Sequence, residues 1–140
     1  MAIDSFNIRV YGVCLNENNE FLVLHEEYAG QYLTKLPGGG LEFGEGTIEC
    51  LQRELSEELN LKIESVEHFY TQEEFIVSRF KDNQQLLTIY YLVKVKDLND
   101  LLFMDPCIES VEWHAITANP STLELPVDIV VYKKLQEKFL

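Results

Sequence analysis

Apolar and polar positions alternate along the first part of the chain and predict β-strands there. Residues 6–15 alternate, and the polar run 16–19 that follows is typical of a turn. The apolar stretch 20–25 comes next. This order predicts an N-terminal β-hairpin, followed by a loop over residues 26–35.

Two longer stretches of β-forming residues occupy the middle of the chain. Residues 62–77 and 86–95 are rich in β-branched and aromatic side chains, and the polar segment 78–85 separates them. They predict a second hairpin. A shorter strand is predicted over residues 108–115, around Trp113.

Two segments have apolar residues at helical spacing instead. Residues 47–59 predict a helix that Gly46 or Thr47 can cap, and residues 127–140 predict a closing helix. The apolar positions are Ile48, Leu51, Leu55 and Leu59 in the first segment and Ile129, Val130, Leu135 and Phe139 in the second. Strands on both sides of a central helix, with a terminal helix, predict an α+β fold with a mixed β-sheet between helices.

Three glutamates lie on one side of the first predicted helix. Glu54, Glu57 and Glu58 are spaced i, i+3 and i+4, which brings them into one narrow sector at about 100° per residue. Like charges at this spacing repel each other, so a bound cation explains their arrangement better than solvation does. Carboxylate oxygens are the ligands that Mg²⁺ prefers. The helix therefore predicts a magnesium site.

These glutamates belong to a longer pattern that runs from Gly39 to Leu61. It reads G-x5-E-x7-R-E-L-x-E-E-x-N-L and resembles the signature of the Nudix hydrolases. The matching residues are Gly39, Glu45, Arg53, Glu54, Glu57 and Glu58. The one departure is Asn60, where the signature has a glycine, and Asn also tolerates the left-handed backbone expected just past a helix end. The resemblance implies an α/β/α sandwich and a single domain over residues 1–140.

The resemblance also implies an activity and a set of roles. Nudix hydrolases cleave a nucleoside diphosphate linked to another group, by attack of water on phosphorus. Glu54, Glu57 and Glu58 would hold Mg²⁺, or alternatively Mn²⁺, together with the carbonyl oxygen of Gly38. Arg53 would orient a carboxylate, and Glu45 would stabilise the start of the helix.

The signature does not fix the general base or the substrate. The base would be a signature glutamate, Glu54 or Glu57, or a residue from the predicted strand 108–115, where Glu109 is preferred over Glu112; both of the latter are also typical solvent-facing strand residues. The segment 124–127 (ELPV) resembles the base-reading region of MutT-type members, which favours a nucleoside triphosphate and places Glu124 at the substrate.

Two alternative functions remain open from the sequence. One is an ADP-ribose or nucleotide-sugar pyrophosphatase that uses the same metal site. The other is a nucleotide-sensing Nudix domain without catalysis, although such relatives usually lose signature glutamates and this chain keeps them. Metal-dependent release of phosphate or pyrophosphate from any nucleotide separates the enzymes from the sensing domain.

Some aromatic and basic residues are weaker candidates for the substrate. Base-stacking candidates are Tyr28, Tyr32, Tyr70, Phe75 and Phe80, and phosphate-binding candidates are Arg9, Lys35, Arg79 and Lys81. Aromatic side chains of this kind are more often part of the core, and isolated basic residues are more often ordinary surface charges.

The charge and composition of the chain limit which ligands and which location are expected. A formal net charge of −13 repels nucleic acid, so long nucleic acid is an unsuitable ligand and a small nucleotide must arrive with a cation. The first residues lack a signal-peptide pattern, and no stretch is apolar enough to span a membrane, so we expect a soluble cytoplasmic protein. Three cysteines without metal-type spacing predict reduced thiols. The predicted hairpins and helix faces are compatible with a homodimer.

Overall fold

The computed structural model describes residues 2–140, with the exception of the Tyr28 side chain, so the prediction that Tyr28 stacks on a base lies outside the described residues. The strands are β1 (Ser5–Cys14), β2 (Glu20–Tyr28), β3 (Gln31–Lys35), β4 (Gly38–Gly40), β5 (Ile63–Thr71), β6 (Ile76–Val77), β7 (Gln84–Val95) and β8 (Ile108–Ala115). The helices are α1 (Thr47–Leu59) and α2 (Pro126–Phe139), with a 3₁₀ turn at Leu98–Asp100.

A five-stranded mixed sheet forms the centre of the fold. Its order is β4-β1-β7-β5, and the short β6 also pairs with β7. β1 runs parallel to β7, and the remaining pairs are antiparallel. The antiparallel pairing of β5 and β7 confirms the predicted second hairpin, although its first strand is interrupted between Thr71 and Ile76.

The remaining three strands form a second, antiparallel sheet in the order β3-β2-β8. The predicted N-terminal hairpin is therefore wrong: β1 and β2 belong to different sheets and are joined only by a bridge from Leu15 to Phe21. The turn forms as expected, with the Asn16 N–H donating to the Glu20 carbonyl oxygen at 3.0 Å. However, β1 pairs along its whole length with the apolar strand β7, which gives both strands a buried position.

The loop predicted over residues 26–35 is also wrong. β2 continues to Tyr28, and β3 returns beside it after a two-residue turn. Ala29 and Gly30 make that turn with positive φ angles of 50° and 80°. Charged and polar residues in both strands obscured the alternation that would have indicated them.

The two helices lie on opposite sides of the sheets, which confirms the α/β/α sandwich. Leu51, Leu55 and Leu59 of α1 pack in one core with Leu22 and Leu24 of β2. The other core contains buried residues of α2 together with neighbouring residues of the strands, namely Val127, Val131, Tyr132, Leu135, Phe21 and Val23. Successive residues of β2 thus point into different cores, as the strand geometry requires.

Two residues of the predicted apolar stripes lie outside these cores. Ile48 is 47% exposed, and Ile129 is 53% exposed. Cys50 takes the buried position beside Leu51, because α1 is rotated so that its first turn packs through the smaller thiol. In α2, Val127 and Val131 are buried in the core in place of Ile129.

A buried carboxyl group ties α2 to the central sheet. Asp128 accepts a hydrogen bond from the Tyr90 hydroxyl of β7, and both side chains are buried. Burial raises the pKa of Asp128 to about 6, and the Tyr90 hydrogen bond opposes this rise only in part. The folded chain therefore keeps a proton on Asp128 at pH values where the unfolded chain has released it.

This proton makes stability depend on pH in a predictable direction. Between about pH 4 and pH 6, the free energy of unfolding should fall as pH rises, because the unfolded state binds fewer protons there. Asp128→Asn should lack this contribution, so its stability relative to the natural chain should increase by about 2 kcal/mol across that window. Urea unfolding of both chains at pH 4, 5, 6 and 7 measures the difference. Parallel pH profiles would show that Asp128 does not titrate in this way.

Candidate functional site

The glycine segment before α1 brings the backbone unusually close to other groups. Gly38 has a φ of 145°, and a Cβ atom there would lie 2.1 Å from the Val10 carbonyl oxygen. A Cβ atom on Gly39 would lie 2.4 Å from the carboxyl carbon of Glu54. Only glycine permits both approaches. Gly39 therefore allows the Glu54 carboxylate to pack directly against β4, and Gly38 allows β4 to lie close to β1.

Both ends of α1 are fixed by local hydrogen bonds. Gly46 is the N-cap, and its N–H donates to Glu49 Oε1 at 3.0 Å. Asn60 ends the helix in the predicted left-handed conformation, with φ 59° and ψ 35°. Its N–H donates to the Ser56 carbonyl oxygen at 3.2 Å. These caps fix the ends of α1, and the packing of Leu51, Leu55 and Leu59 in the core sets which side bears the glutamates.

Arg53 connects the start of α1 to the glycine segment. Its guanidinium donates to Glu45 Oε1 at 2.8 Å, to Glu54 Oε1 at 2.9 Å and to Glu57 Oε2 at 3.2 Å. It also donates to the Gly40 carbonyl oxygen at 2.9 Å. The Arg53 hydrogen bonds hold the pKa of Glu45 at about 2, so Glu45 stays ionised. One cation thus orients three signature carboxylates.

Glu58 occupies a different environment from the other two helix glutamates. Its Oε1 accepts a hydrogen bond from the Gly38 N–H at 3.0 Å, and its side chain is buried. Burial raises the pKa of Glu58 to about 7, although Lys35 and the Gly38 N–H counteract it. Glu57, by contrast, has a side chain that is 60% exposed. Glu58 is therefore buried against Gly38, Glu54 is largely buried against Gly39, and Glu57 is exposed and held by Arg53.

Lys35 lies beside Glu58, and Glu26 pairs with Lys35. The sequence indicated Lys35 only as a weaker candidate for phosphate binding and did not indicate Glu26. The Lys35 Nζ lies 3.4 Å from the Gly38 carbonyl oxygen, 3.8 Å from Glu58 Oε2 and 3.6 Å from Glu26 Oε2. Burial alone would lower the pKa of Lys35, but the oxygen atoms of Tyr11, Glu58 and Glu26 raise it overall. Lys35 is therefore a buried ammonium rather than an ordinary surface charge. Recognising 31–35 as a strand that ends at the glycine segment would have revealed it.

The oxygen atoms at this end of α1 suit a hard divalent ion. They are the carboxylates of Glu54, Glu57 and Glu58 and the carbonyl of Gly38. The buried Glu58 carboxylate, whose pKa burial raises, lacks the full compensation that an ion would supply. Within residues 2–140, no three acidic, histidine or cysteine side chains converge well enough to hold an ion as they stand. Arg53 and Lys35 instead hold the carboxylates from either side.

A cavity of about 470 Å³ adjoins Lys35. Its lining includes the buried residues Tyr11 and Lys35 and the exposed residues Arg79 and Phe80, together with Arg9 and Leu125. Arg9 is held there by a hydrogen bond from its Nε to the Tyr11 hydroxyl at 2.6 Å. All four basic candidates, Arg9, Lys35, Arg79 and Lys81, thus line one cavity. A more open depression of about 920 Å³ beside β5 and β7 contains no signature residue.

The other predicted site residues lie farther from α1. Glu109 is exposed on β8, where the pairing register with β2 shifts, and in the described chain its side chain has no hydrogen bond or ion pair with the α1 glutamates. Glu112 pairs with His25 Nε2 at 3.1 Å. Glu124 does not itself line the cavity, but its Oε2 lies 3.9 Å from the guanidinium of Arg79, which does. The roles of Glu109 and Glu124 stay predictions.

The candidate aromatic residues divide by exposure. Tyr32, Phe75 and Phe80 are exposed, whereas Tyr70 is buried in the core with α2. Phe80 alone of this group lines the 470 Å³ cavity. Among the thiols, Cys14 and Cys50 are buried, and burial raises the pKa of each to about 12. Neither thiol is therefore suited to act as a nucleophile.

Comparison with known families decides the identity of this arrangement. The sequence model of the NUDIX domain matches residues 6–135, which is more than nine-tenths of the chain. The chain belongs to the Nudix family. The match extends well beyond the signature helix to both sheets and most of α2, and it confirms the interpretation of the chain as a Nudix hydrolase.

Solved Nudix structures share the fold at low sequence identity. The MutT structure from Aliivibrio salmonicida and Vibrio cholerae is 19% identical with a TM-score of 0.74, covering 97% of this chain and all of that one. The MutT NUDIX hydrolase from Burkholderia pseudomallei is 15% identical with a TM-score of 0.75, covering 94% and 98%. The NUDIX domain of Shewanella oneidensis NrtR, complexed with ADP ribose, is 16% identical with a TM-score of 0.72, covering 99% and 91%.

Among residues 2–140, neither helix combines the length and apolar character needed to cross a bilayer.

Proposed function

We propose that this Nudix hydrolase cleaves nucleoside triphosphates to a nucleoside monophosphate and pyrophosphate, with Mg²⁺ bound at the glutamates of α1. The observation that carries the proposal is the position of Lys35, which contacts Gly38 and Glu58 and also lines the 470 Å³ cavity. A nucleoside in that cavity would direct its phosphates toward α1. The cavity therefore supplies a substrate site next to the predicted metal ligands.

The cavity walls suit a nucleoside with an anionic tail. Tyr11, Phe80, Leu33, Leu86 and Leu125 offer apolar surface for a base, and Asn7 and Gln84 offer amide groups for its edge. Arg9 and Lys35 bring positive charge to the end nearest Glu58. Because the net charge of the chain is −13, a triphosphate needs local positive charge in order to bind, and Arg9 and Lys35 provide it.

The residues of α1 have different roles in the proposed reaction. Glu54, Glu57 and Glu58, with the Gly38 carbonyl, would hold the ion, and Arg53 keeps Glu54 and Glu57 in place. A bound divalent ion would offset the negative charge that develops on the phosphate during displacement. A water oxygen bonds to phosphorus, the bridging bond to the leaving pyrophosphate breaks, and a carboxylate accepts the proton. The candidates for accepting the proton are Glu54 and Glu57 on α1 and, outside α1, Glu109.

Specificity constants test the substrate class. Nucleoside triphosphates, including oxidised ones, should be hydrolysed with a higher kcat/KM than ADP-ribose or nucleotide sugars in the presence of Mg²⁺. ADP-ribose is the sharpest competitor, since the similar NrtR domain is complexed with it. A higher kcat/KM for ADP-ribose or a nucleotide sugar than for every triphosphate would contradict the substrate proposal but not the family's reaction.

Substitution of Glu124, which lies close to Arg79 of the cavity, tests whether its side chain contacts the base. If its carboxylate accepts a hydrogen bond from the base, Glu124→Ala should raise KM more than it lowers kcat, because it removes binding shared by the ground and transition states. Glu137→Ala, an exposed change on α2, is the matched control. Steady-state kinetics on the preferred triphosphate measure the effect. An unchanged KM would remove Glu124 from the substrate site.

Metal binding should also stabilise the fold. An ion that binds the folded chain alone adds about 2.7 kcal/mol to the free energy of unfolding at a free concentration 100 times its dissociation constant. Thermal unfolding of chelator-treated protein, with Mg²⁺ or Mn²⁺ added back, should show the midpoint rise with ion concentration. The absence of any shift at millimolar ion would contradict the proposed site.

A cytoplasmic location and a homodimer stay predictions from the sequence.

A further inference from the structure

The Lys35 ammonium lies against two of the oxygen atoms predicted to bind the metal. Its Nζ is 3.4 Å from the Gly38 carbonyl oxygen and 3.8 Å from Glu58 Oε2. The Lys35 side chain is only 7% exposed, so bulk water cannot satisfy it and these oxygens must. A cation of the chain itself thus lies beside Glu58 and offsets part of its charge in this structure.

A third oxygen offers Lys35 an alternative position. Glu26 Oε2 lies 3.6 Å from the Nζ, is buried, and accepts no hydrogen bond within the described residues. Both Lys35 and Glu26 line the 470 Å³ cavity. Because a lysine side chain is flexible, the ammonium can move toward Glu26 and the cavity without losing all its partners.

From these contacts we propose that Lys35 is an internal competitor for the divalent ion: it occupies the Glu58 and Gly38 oxygens when no ion is bound and shifts toward Glu26 when one binds. The inference rests on the proposed function, since it concerns the same metal site. Two cations around one carboxylate repel strongly where little water separates them. Lys35 therefore weakens ion binding and is a positioning residue of the site.

Binding of Mn²⁺ alone to the intact chain tests this role without measuring activity. Electron paramagnetic resonance of free Mn²⁺ gives the dissociation constant. Lys35→Met keeps the apolar stem and removes the charge, so it should bind Mn²⁺ about tenfold more tightly. Lys35→Gln, a second neutral variant, should change affinity in the same direction. Lys133→Met removes the same charge from an exposed position on α2 and should stay within about twofold of the natural chain.

A double variant separates local competition from net charge. Adding Glu58→Gln to Lys35→Met should abolish most of the gain, because the competed carboxylate is lost. If both Lys35 variants melt like the natural chain yet bind Mn²⁺ no more tightly, the proposal is overturned. If tighter binding is found but no nucleotide is hydrolysed, the proposed function fails while the role of Lys35 stands. If no form of the chain binds Mn²⁺, both fail.

Discussion

Glu58→Gln should lower kcat/KM by at least about a hundredfold and leave the fold intact. The substitution keeps the shape of the side chain, and the amide oxygen can still accept the Gly38 N–H bond seen at 3.0 Å. It removes the buried negative charge that would hold the ion. A loss of about 3 kcal/mol of transition-state stabilisation corresponds to a little over two orders of magnitude.

The measurement pairs kinetics with metal binding. Glu58→Gln should lose Mn²⁺ affinity along with activity, whereas Glu137→Gln, an exposed change on α2, should alter neither. Thermal unfolding of both variants shows whether the fold is kept. Wild-type activity together with wild-type Mn²⁺ affinity in Glu58→Gln would remove Glu58 from the metal site.

Arg53→Ala should reduce kcat by about a hundredfold through a different route. The guanidinium donates to Glu45, Glu54 and Glu57 and to the Gly40 carbonyl, so its loss frees the carboxylates from their fixed positions. Misplacement of catalytic groups by about 1 Å can cost two orders of magnitude. Because Arg53 touches the site through other residues, we expect kcat to fall more than KM rises.

Arg53→Lys is the matched variant for this prediction. It keeps the positive charge but loses the planar, multiple donors, so its rate should lie between those of the natural chain and Arg53→Ala. Glu58 has no hydrogen bond to Arg53, and Mn²⁺ affinity should therefore fall less in Arg53→Ala than in Glu58→Gln. Full activity in Arg53→Ala would show that Arg53 orients nothing that the reaction needs.

The sequence predicted the parts of this molecule that depend on local spacing. The helix over residues 47–59 coincides with α1, and Asn60 adopts the left-handed conformation expected of a residue that replaces glycine. The strand over residues 108–115 coincides with β8. Arg53 reaches Glu57 because the two are one helical turn apart, which the periodicity of a helix fixes without reference to the rest of the chain.

The parts that depend on distant pairing were not predictable in the same way. β1 pairs with β7, some 80 positions later, in preference to its neighbour β2, and this choice reflects burial of two apolar strands rather than any local signal. For the same reason the sequence did not indicate Glu26 and gave Lys35 only as a weaker phosphate-binding candidate. Lys35 meets both Glu58 and Glu26 because β2 and β3 pair beside the glycine segment, and charged residues in both strands concealed that pairing.

Phosphorus NMR of a nucleoside triphosphate incubated with the chelator-treated chain, with and without added Mg²⁺, tests the metal-dependent reaction most directly. Monophosphate and pyrophosphate should appear only with the ion, and Glu58→Gln should suppress them. Hydrolysis at the same rate in excess chelator would contradict the metal-dependent site on α1. Failure to cleave any triphosphate, ADP-ribose or nucleotide sugar with Mg²⁺ or Mn²⁺ would contradict catalysis itself and favour a nucleotide-sensing role.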